Sequence, residues 1–204
     1  MRTTSLRVAA VAALVALSSG CGDMVRDGQS PTQLVINSLQ AAAGGDTEFS
    51  GFLQSDVITR VDEEDPDSCT ILNDAGQVTM SLFLKDAGNP TLTTSPSVLN
   101  QVTITSYRVD FRRTDGPSTP GVSVPQPLVS SVTFTVPNGG QVTASFNLVR
   151  QTAKLEPPLL ALRNSLVLFS MIADVTFAGH DQVGNTVTAQ GTIGVTFGDF
   201  GPGC

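Results

Sequence analysis

Several residue types that support common chemistries are scarce in this chain. Among its 204 residues there is no tryptophan, one tyrosine, one histidine and three cysteines. A zinc site usually draws four ligands from Cys, His and carboxylates, so this inventory disfavours zinc. The Gly-x-Ser-x-Gly, His-Glu-x-x-His and phosphate-binding glycine patterns are also absent from the sequence. No motif therefore names a reaction.

Charge is scarce as well, and its sign is uneven. Only 14% of the residues are charged, with 11 Lys and Arg against 18 Asp and Glu. An acidic chain of this kind does not favour nucleic acid or anionic lipid as a partner. Hydrophobic residues make up 40% of the chain, which also has 19 Gly and 12 Pro. This mixture is typical of a domain with many short strands.

The N-terminus has the layout of a secretory signal peptide. Arg2 and Arg7 precede or interrupt an apolar run over residues 6–17, and no acidic residue occurs there. The uninterrupted apolar stretch after Arg7 has about ten residues, whereas a membrane-spanning helix needs about twenty. The pattern therefore favours a cleaved signal over a permanent transmembrane helix.

Directly after this run the chain reads Leu17-Ser18-Ser19-Gly20-Cys21. The segment resembles the lipobox of bacterial lipoproteins, in which small residues precede an obligatory cysteine. The resemblance implies cleavage before Cys21, a thioether-linked diacylglycerol on its sulfur and an acyl chain such as palmitate on its amino group. It departs from the family at Ser18, where leucine is more usual. The alternative is an ordinary cleaved signal with a cysteine at this place by chance.

The predicted organisation is a signal peptide over residues 1–20, a lipidated tether over 21–31 and one domain over 32–204. Two or three acyl chains anchor a protein to a membrane effectively permanently. Gly22 stands where an Asp would retain the protein at the inner membrane, so the likeness favours the outer membrane of a bacterial cell envelope. Without Arg2 and Arg7 the mature chain has a formal charge of about −9.

Besides Cys21, the chain has only Cys69 and Cys204. In an oxidising envelope compartment, two remaining cysteines predict a disulfide. In the chain-entropy model, closing a loop of more than a hundred residues stabilises the fold by about 4–5 kcal/mol. Two free thiols are the alternative.

Alternation of apolar and polar residues predicts the strands. A first hairpin is expected where the runs 132–136 and 142–148 flank Pro137-Asn138-Gly139-Gly140, because Asn-Gly favours a type I′ turn. A second is expected between the runs 166–177 and 187–197, around a turn at 179–185. The apolar phase slips within 102–111, which predicts a β-bulge near Thr105-Ser106. Shorter strands are predicted at 34–39 and 57–61, a longer one at 78–84, and a helical crossover at 154–164.

Seven or eight such strands resemble an immunoglobulin-like or fibronectin-type β-sandwich, covering about residues 32–200. The resemblance implies an all-β, antiparallel sandwich. The chain departs from antibody domains because it lacks tryptophan and has no cysteine pair at the positions of the inter-sheet disulfide. A jelly roll is the alternative two-sheet fold.

Three segments are candidate sites. An acidic segment before Cys69, with Asp62, Glu63, Glu64, Asp65 and Asp67, supplies oxygen ligands that calcium prefers, although a solvated acidic loop is the commoner outcome. His180 beside Asp181 has the groups for acid–base work but is also typical of a solvated turn. The Pro-rich segment 114–127 predicts a long loop that contacts a partner or simply links two strands.

The leading functional hypothesis is a non-catalytic, lipid-anchored envelope protein whose sandwich binds or assembles with an envelope protein or glycan. The alternative is an enzyme, including a carbohydrate-processing one, that uses Asp or Glu side chains brought together only by the fold. A cleft that holds two close carboxylates would favour this alternative.

Overall fold

A computed structural model describes residues 30–62, 64–65, 68–85 and 98–201. This part of the chain is built mainly from strands, as the alternation of apolar and polar side chains predicts. The strands are β1 (Thr32–Ala42), β2 (Phe52–Asp56), β3 (Thr59–Arg60), β4 (Cys69–Thr70), β5 (Asp74–Leu84), β6 (Val102–Arg113), β7 (Leu128–Val136), β8 (Gln141–Val149), β9 (Phe169–Asp181) and β10 (Thr186–Gly198). One short helix, α1 (Gln151–Lys154), and two 3₁₀ turns, Val98–Asn100 and Leu159–Leu162, are the helical segments described.

Eight of these strands form two sheets. The first sheet has the order β1-β5-β8, and the second has the order β2-β10-β9-β6-β7. All pairings are antiparallel except that of β2 with β10, which is parallel. Strands β3 and β4 make a small separate ribbon. The apolar side chains of the two sheets meet in one continuous core, so the predicted all-β sandwich is confirmed.

The second predicted hairpin and the predicted bulge are confirmed. Strands β9 and β10 pair along their whole length around a turn at residues 182–185, although β9 begins and ends a few residues later than expected. The register of β6 shifts between Ile104 and Ser106 against both of its neighbours. Because of this shift, Ile104 and Tyr107 both point into the core and are buried, although they are three residues apart.

The first predicted hairpin is wrong. Strand β7 pairs with β6 in one sheet, whereas β8 pairs with β5 in the other. Among the residues between them only Gly139 has a positive φ, 70°, and Asn138 does not. A type I′ turn needs positive φ at both central residues. The segment 137–140 therefore carries the chain from one sheet to the other.

The helical crossover predicted at 154–164 does connect the sheets, from β8 to β9. Its apolar side chains Leu159 and Leu162 are buried. The strand predicted at 34–39 is present but longer than expected, because β1 covers Thr32–Ala42. In contrast, the strand predicted at 57–61 is only the two residues of β3, and the parallel strand β2 precedes it.

An aromatic cluster joins the two sheets at the centre of the core. The ring of Tyr107, on β6, packs edge-on against Phe146 of β8, with ring centroids 5.1 Å apart, and Phe146 in turn packs against Phe177 of β9 at 5.2 Å. The Tyr107 hydroxyl donates to the carbonyl of Asn147 (3.0 Å) and accepts from its N–H (3.2 Å). These bonds hold the edge strand β8 to the opposite sheet.

A buried ion pair ties four segments together at one end of the sandwich. Lys154 Nζ lies 2.8 Å from Asp74 Oδ1, and both side chains are fully buried. Asp74 also accepts hydrogen bonds from the Ser55 hydroxyl (2.6 Å) and from the Gly44 N–H (2.9 Å). Burial raises the pKa of Asp74, while Lys154 and the two hydrogen bonds oppose that rise. The pair links α1, β5, β2 and the segment after β1.

Candidate functional site

The outward side of the five-stranded sheet carries a group of four charged side chains. On β6 the side chains of Tyr107, Val109 and Phe111 are buried, so Arg108, Asp110 and Arg112 between them point to solvent. Asp174 on β9 lies directly opposite Asp110 in the strand register. We call Arg108, Asp110, Arg112 and Asp174 the charged tetrad.

The tetrad consists of two ion pairs. Arg108 donates to both carboxylate oxygens of Asp110, at 2.6 and 2.7 Å, and this hydrogen bonding raises the pKa of Arg108. Arg112 Nε lies 2.8 Å from Asp174 Oδ2. Like charges at directly opposed positions of two strands repel each other. The two guanidinium groups offset this repulsion, and the tetrad has no net formal charge.

A depression lies beside the tetrad. Its volume is about 490 Å³, and it is lined by Asp110, Asp174, Val175, Thr176, Gln190, Gly191 and Thr192. Val175 and Gly191 are register partners whose side-chain positions face the core, so their backbone forms the floor. Gln190 Nε2 donates to the Thr176 hydroxyl at 3.1 Å. The walls therefore present hydroxyl, amide and carboxylate groups to solvent.

An exposed aromatic ring lies next to this depression. Phe52 of β2 is the register partner of Gly194, two residues along β10 from Thr192, and its side chain is 47% exposed. A Cβ atom on Gly194 would stand 2.9 Å from Cδ2 of Phe52, so one edge of the ring lies beside the glycine on the outward side. Ile172 is the partner of Gly194 on its other side. We call the charged tetrad, the depression, Phe52 and Ile172 together the polar face.

The polar face gathers hydrogen-bonding groups of several kinds. Each carboxylate of the tetrad accepts a hydrogen bond from a guanidinium, so Asp110 and Asp174 are both held in ion pairs. The face offers charged and neutral hydrogen-bonding groups in a shallow, open setting.

Sequence reasoning missed the polar face, although a signal for it was present. Arg108, Asp110 and Arg112 alternate with apolar residues in the printed sequence. That pattern predicts three charges on one side of a strand. The position of Asp174 beside them depends on the pairing of β6 with β9, which no local pattern specifies.

The predicted lipidation site and the tether up to Gln29 lie outside the described residues. Ser30 is the first described residue, and its hydroxyl hydrogen-bonds with Thr32 (3.0 Å) and with Asp181. The described chain therefore starts at the end of the sandwich that carries the β9–β10 turn. In the described part, no helix combines the length and the apolar character that crossing a bilayer requires.

The predicted disulfide is only partly within the described residues. Cys69 lies in β4 and is disulfide-bonded, whereas Cys204 lies outside the described part. Cys69 is the register partner of Arg60. A Cβ atom on Gly201 would stand 3.3 Å from Asp56 Oδ2, close to the start of the same ribbon. Three residues reach about 10 Å, so this geometry is compatible with the pairing of Cys69 and Cys204, which stays a prediction.

The acidic segment is closed by its own hydrogen bonds where it is described. Ser68 Oγ lies 2.8 Å from the Asp62 carbonyl and 2.7 Å from the Asp65 carbonyl, and it accepts from the Asp62 N–H. The Glu64 N–H donates to Asp62 Oδ1. Glu63 and Asp67 are outside the described residues. Within the described ranges no three His, Cys, Asp or Glu side chains are placed to hold a metal, and calcium binding stays a prediction.

His180 is a strand residue rather than a turn residue. It pairs with Thr186 near the end of β9, and its side chain is exposed. Its neighbour Asp181 organises the turn by accepting from the N–H groups of Val183 (3.0 Å) and Asn185 (2.8 Å) and from the Asn185 side chain. Burial opposes ionisation of Asp181, but the hydrogen bonds from Asn185, Ser30 and Val183 lower its pKa overall. Asp181 is thus a structural partner of the turn.

The Pro-rich segment 114–127 joins β6 to β7, as predicted, but it folds back on itself. The Ser123 hydroxyl accepts from the Thr119 N–H (2.8 Å) and donates to the Pro117 carbonyl (2.6 Å). Val124 is buried in the core. The loop is therefore attached to the sandwich along part of its length.

No family model, curated protein or solved structure matches this chain. Function must therefore be argued from the geometry of its own residues.

Proposed function

We propose that this protein is a non-catalytic, lipid-anchored lipoprotein of the bacterial cell envelope, with an immunoglobulin-like sandwich that presents the polar face to a ligand. The observation that carries the proposal is the charged tetrad. Its four side chains form two ion pairs side by side on the outward surface of one sheet. The hydroxyl, amide and carboxylate groups around the depression can hydrogen-bond to a ligand that lies across it.

The strand order supports the immunoglobulin-like assignment. In sequence order, β1, β5 and β8 take the places of strands A, B and E, while β6, β7, β9 and β10 take those of C, C′, F and G. This is the division between sheets expected for that fold. Tyr107 lies on the strand where antibody domains have their core tryptophan, and the aromatic cluster around it takes over the packing.

The position of the N-terminus supports an anchored, upright domain. The tether enters beside the β9–β10 turn, and ten tether residues reach at most about 35 Å. Thr192, at the centre of the polar face, lies six residues beyond Thr186, or about 20 Å along β10. The polar face would therefore stand clear of the lipid headgroups. The signal sequence favours the outer membrane for this arrangement.

Intact mass spectrometry of the protein from host membranes tests the anchor. We expect residues 21–204 plus acyl chains, and accumulation of the uncleaved precursor when globomycin blocks lipoprotein signal cleavage. Without reduction, the mass should be two daltons lower because of the Cys69–Cys204 disulfide. An unacylated mature chain would refute the anchor. A Cys21→Ser variant is the matched control, since it removes only the acylated sulfur.

The paired positions of Asp110 and Asp174 give one reason to keep the carboxylate-dependent enzyme as a second candidate. Its test is release of reducing sugar from envelope polysaccharides by the purified protein. Activity that Asp110→Asn or Asp174→Asn abolishes would replace the binding proposal with this one. We expect no activity in either the parent chain or the variants.

A further inference from the structure

We infer that the ligand of the polar face is a neutral polysaccharide, held by stacking on Phe52 and by hydrogen bonds to the row of polar side chains beside it. This inference rests on the proposed function, because it names the ligand class of the same face. The strand register arranges the side chains of this face into parallel rows.

The register places three rows of outward side chains next to one another. The central row consists of Thr192, Asp174 and Asp110, on β10, β9 and β6. One side is bordered by the row of Gln190, Thr176 and Arg108, and the other by the row of Phe52, Gly194, Ile172 and Arg112. Neighbouring strands are about 4.8 Å apart, and rows two residues apart are separated by about 7 Å.

The rows differ in chemistry in the way that a sugar ring requires. Phe52 and Ile172 form an apolar strip, in which an edge of the Phe52 ring occupies the space that a side chain on Gly194 would fill. A pyranose ring has C–H groups on its faces, which pack on an aromatic ring, and hydroxyls around its rim. With one face on Phe52, a sugar directs rim hydroxyls toward Thr192 and Asp174 in the central row. Carboxylate acceptors make strong hydrogen bonds to such hydroxyls.

The charge of the protein selects against anionic polymers. The tetrad sums to zero, so it offers donors and acceptors without a net attraction for either sign. The rest of the mature chain has a formal charge of about −9, which repels polyanions at a distance. A neutral polyhydroxylated chain meets both conditions, because it offers hydroxyl groups to the tetrad and is not repelled by the negative charge of the protein.

The shape of the face fits an extended polymer better than a small molecule. Ligand sites for small molecules are concave and enclose most of the ligand. Here the floor is the backbone of a sheet, and the ring of Phe52 lies at the surface. Successive sugar units can therefore continue past both sides of the site.

Affinity electrophoresis of the purified full chain tests the inference. Native gels would contain glucomannan or dextran as neutral polymers and polygalacturonate as the anionic polymer. We expect retardation by at least one neutral polymer and none by polygalacturonate. Phe52→Ala and Asp174→Asn should each weaken the retardation constant at least fivefold.

Phe83→Ala is the matched control. Phe83 is also an exposed phenylalanine on a strand, 54% exposed, but it lies on the other sheet. Its removal should leave retardation unchanged. Thermal unfolding of each variant checks that the fold is retained.

The outcomes separate the ligand class from the proposed function. Absence of retardation by both neutral polymers, or an equal loss with Phe52→Ala and Phe83→Ala, would overturn the inference. If mass spectrometry finds the acylated chain in the same protein, the proposed lipid anchor stands even when the ligand inference fails. Retardation by polygalacturonate that depends on Arg108 or Arg112 would show a polyanion site and overturn the inference as well.

Discussion

The buried pair of Asp74 and Lys154 allows a quantitative test of what holds one end of the sandwich together. Lys154→Met keeps most of the aliphatic length of the side chain and removes the ammonium group. The Asp74 carboxylate then remains buried with only Ser55 and Gly44 as donors. Removing one partner of a buried ion pair costs about 3–5 kcal/mol, because the remaining charge is left uncompensated.

The second half of the test is the double variant. Asp74→Asn alone leaves the Lys154 ammonium buried beside a neutral amide, and we expect a loss of similar size. In the double variant Asp74→Asn/Lys154→Met no buried charge is left, while the amide oxygen still accepts from one donor. The summed losses should therefore exceed the loss in the double variant by about 2–3 kcal/mol, in the upper part of the coupling range for residues in contact.

Urea unfolding followed by circular dichroism measures these free energies, with the disulfide kept intact. For a domain of this size, a loss of 3–5 kcal/mol corresponds to a fall in melting temperature of about 6–20 °C. Arg108→Met is the control, because it breaks an exposed pair and should leave the midpoint nearly unchanged. A coupling energy within 0.5 kcal/mol of zero would show that Asp74 and Lys154 act independently, and would refute the reasoning.

Three further predictions address the core, the bulge and the turn. Tyr107→Phe leaves the backbone N–H and carbonyl of Asn147 without their hydroxyl partner, and we expect a loss of about 1–3 kcal/mol in urea unfolding; no change in midpoint would contradict the bridging role. Gly179→Ala places a Cβ atom against the Thr103 carbonyl oxygen, so it should lower the melting temperature far more than Gly51→Ala, at a position where the added Cβ meets open space. The lowered pKa of Asp181 means that its contribution to stability is present above the unfolded pKa and lost as pH falls through the folded pKa. The stability difference between the parent chain and Asp181→Asn should thus shrink below about pH 4, and a difference independent of pH would show that ionisation is irrelevant.

Local patterns predicted the elements whose causes are local. Alternation located β5 and β7 to β10, because a half-buried strand needs apolar residues at every second position. The phase slip within β6 predicted the bulge, since only an extra residue restores the inward direction of the later side chains. The loop at 114–127 and the crossover after β8 followed from their prolines and from the lack of alternation.

The same patterns failed where partners had to be chosen. The runs 132–136 and 142–148 have the same alternation whether they pair with each other or with two different strands. In the structure the two runs belong to different sheets. Phe146 of β8 packs across the core against Tyr107 and Phe177 of the other sheet. Strand β2 has too few residues for alternation to distinguish it from a loop.

The sequence by itself determined that the chain forms a two-sheet β-sandwich, because periodicity and turn residues act over a few positions. It also predicts a lipid anchor at Cys21, which lies outside the described residues. Apart from the β9–β10 hairpin, only the tertiary structure decided which strands are neighbours. It thereby decided the buried pair of Asp74 and Lys154 and the meeting of Asp110 with Asp174. These contacts join residues about 60 to 80 positions apart, and the packing of the two inner faces, rather than any local preference, brings them together.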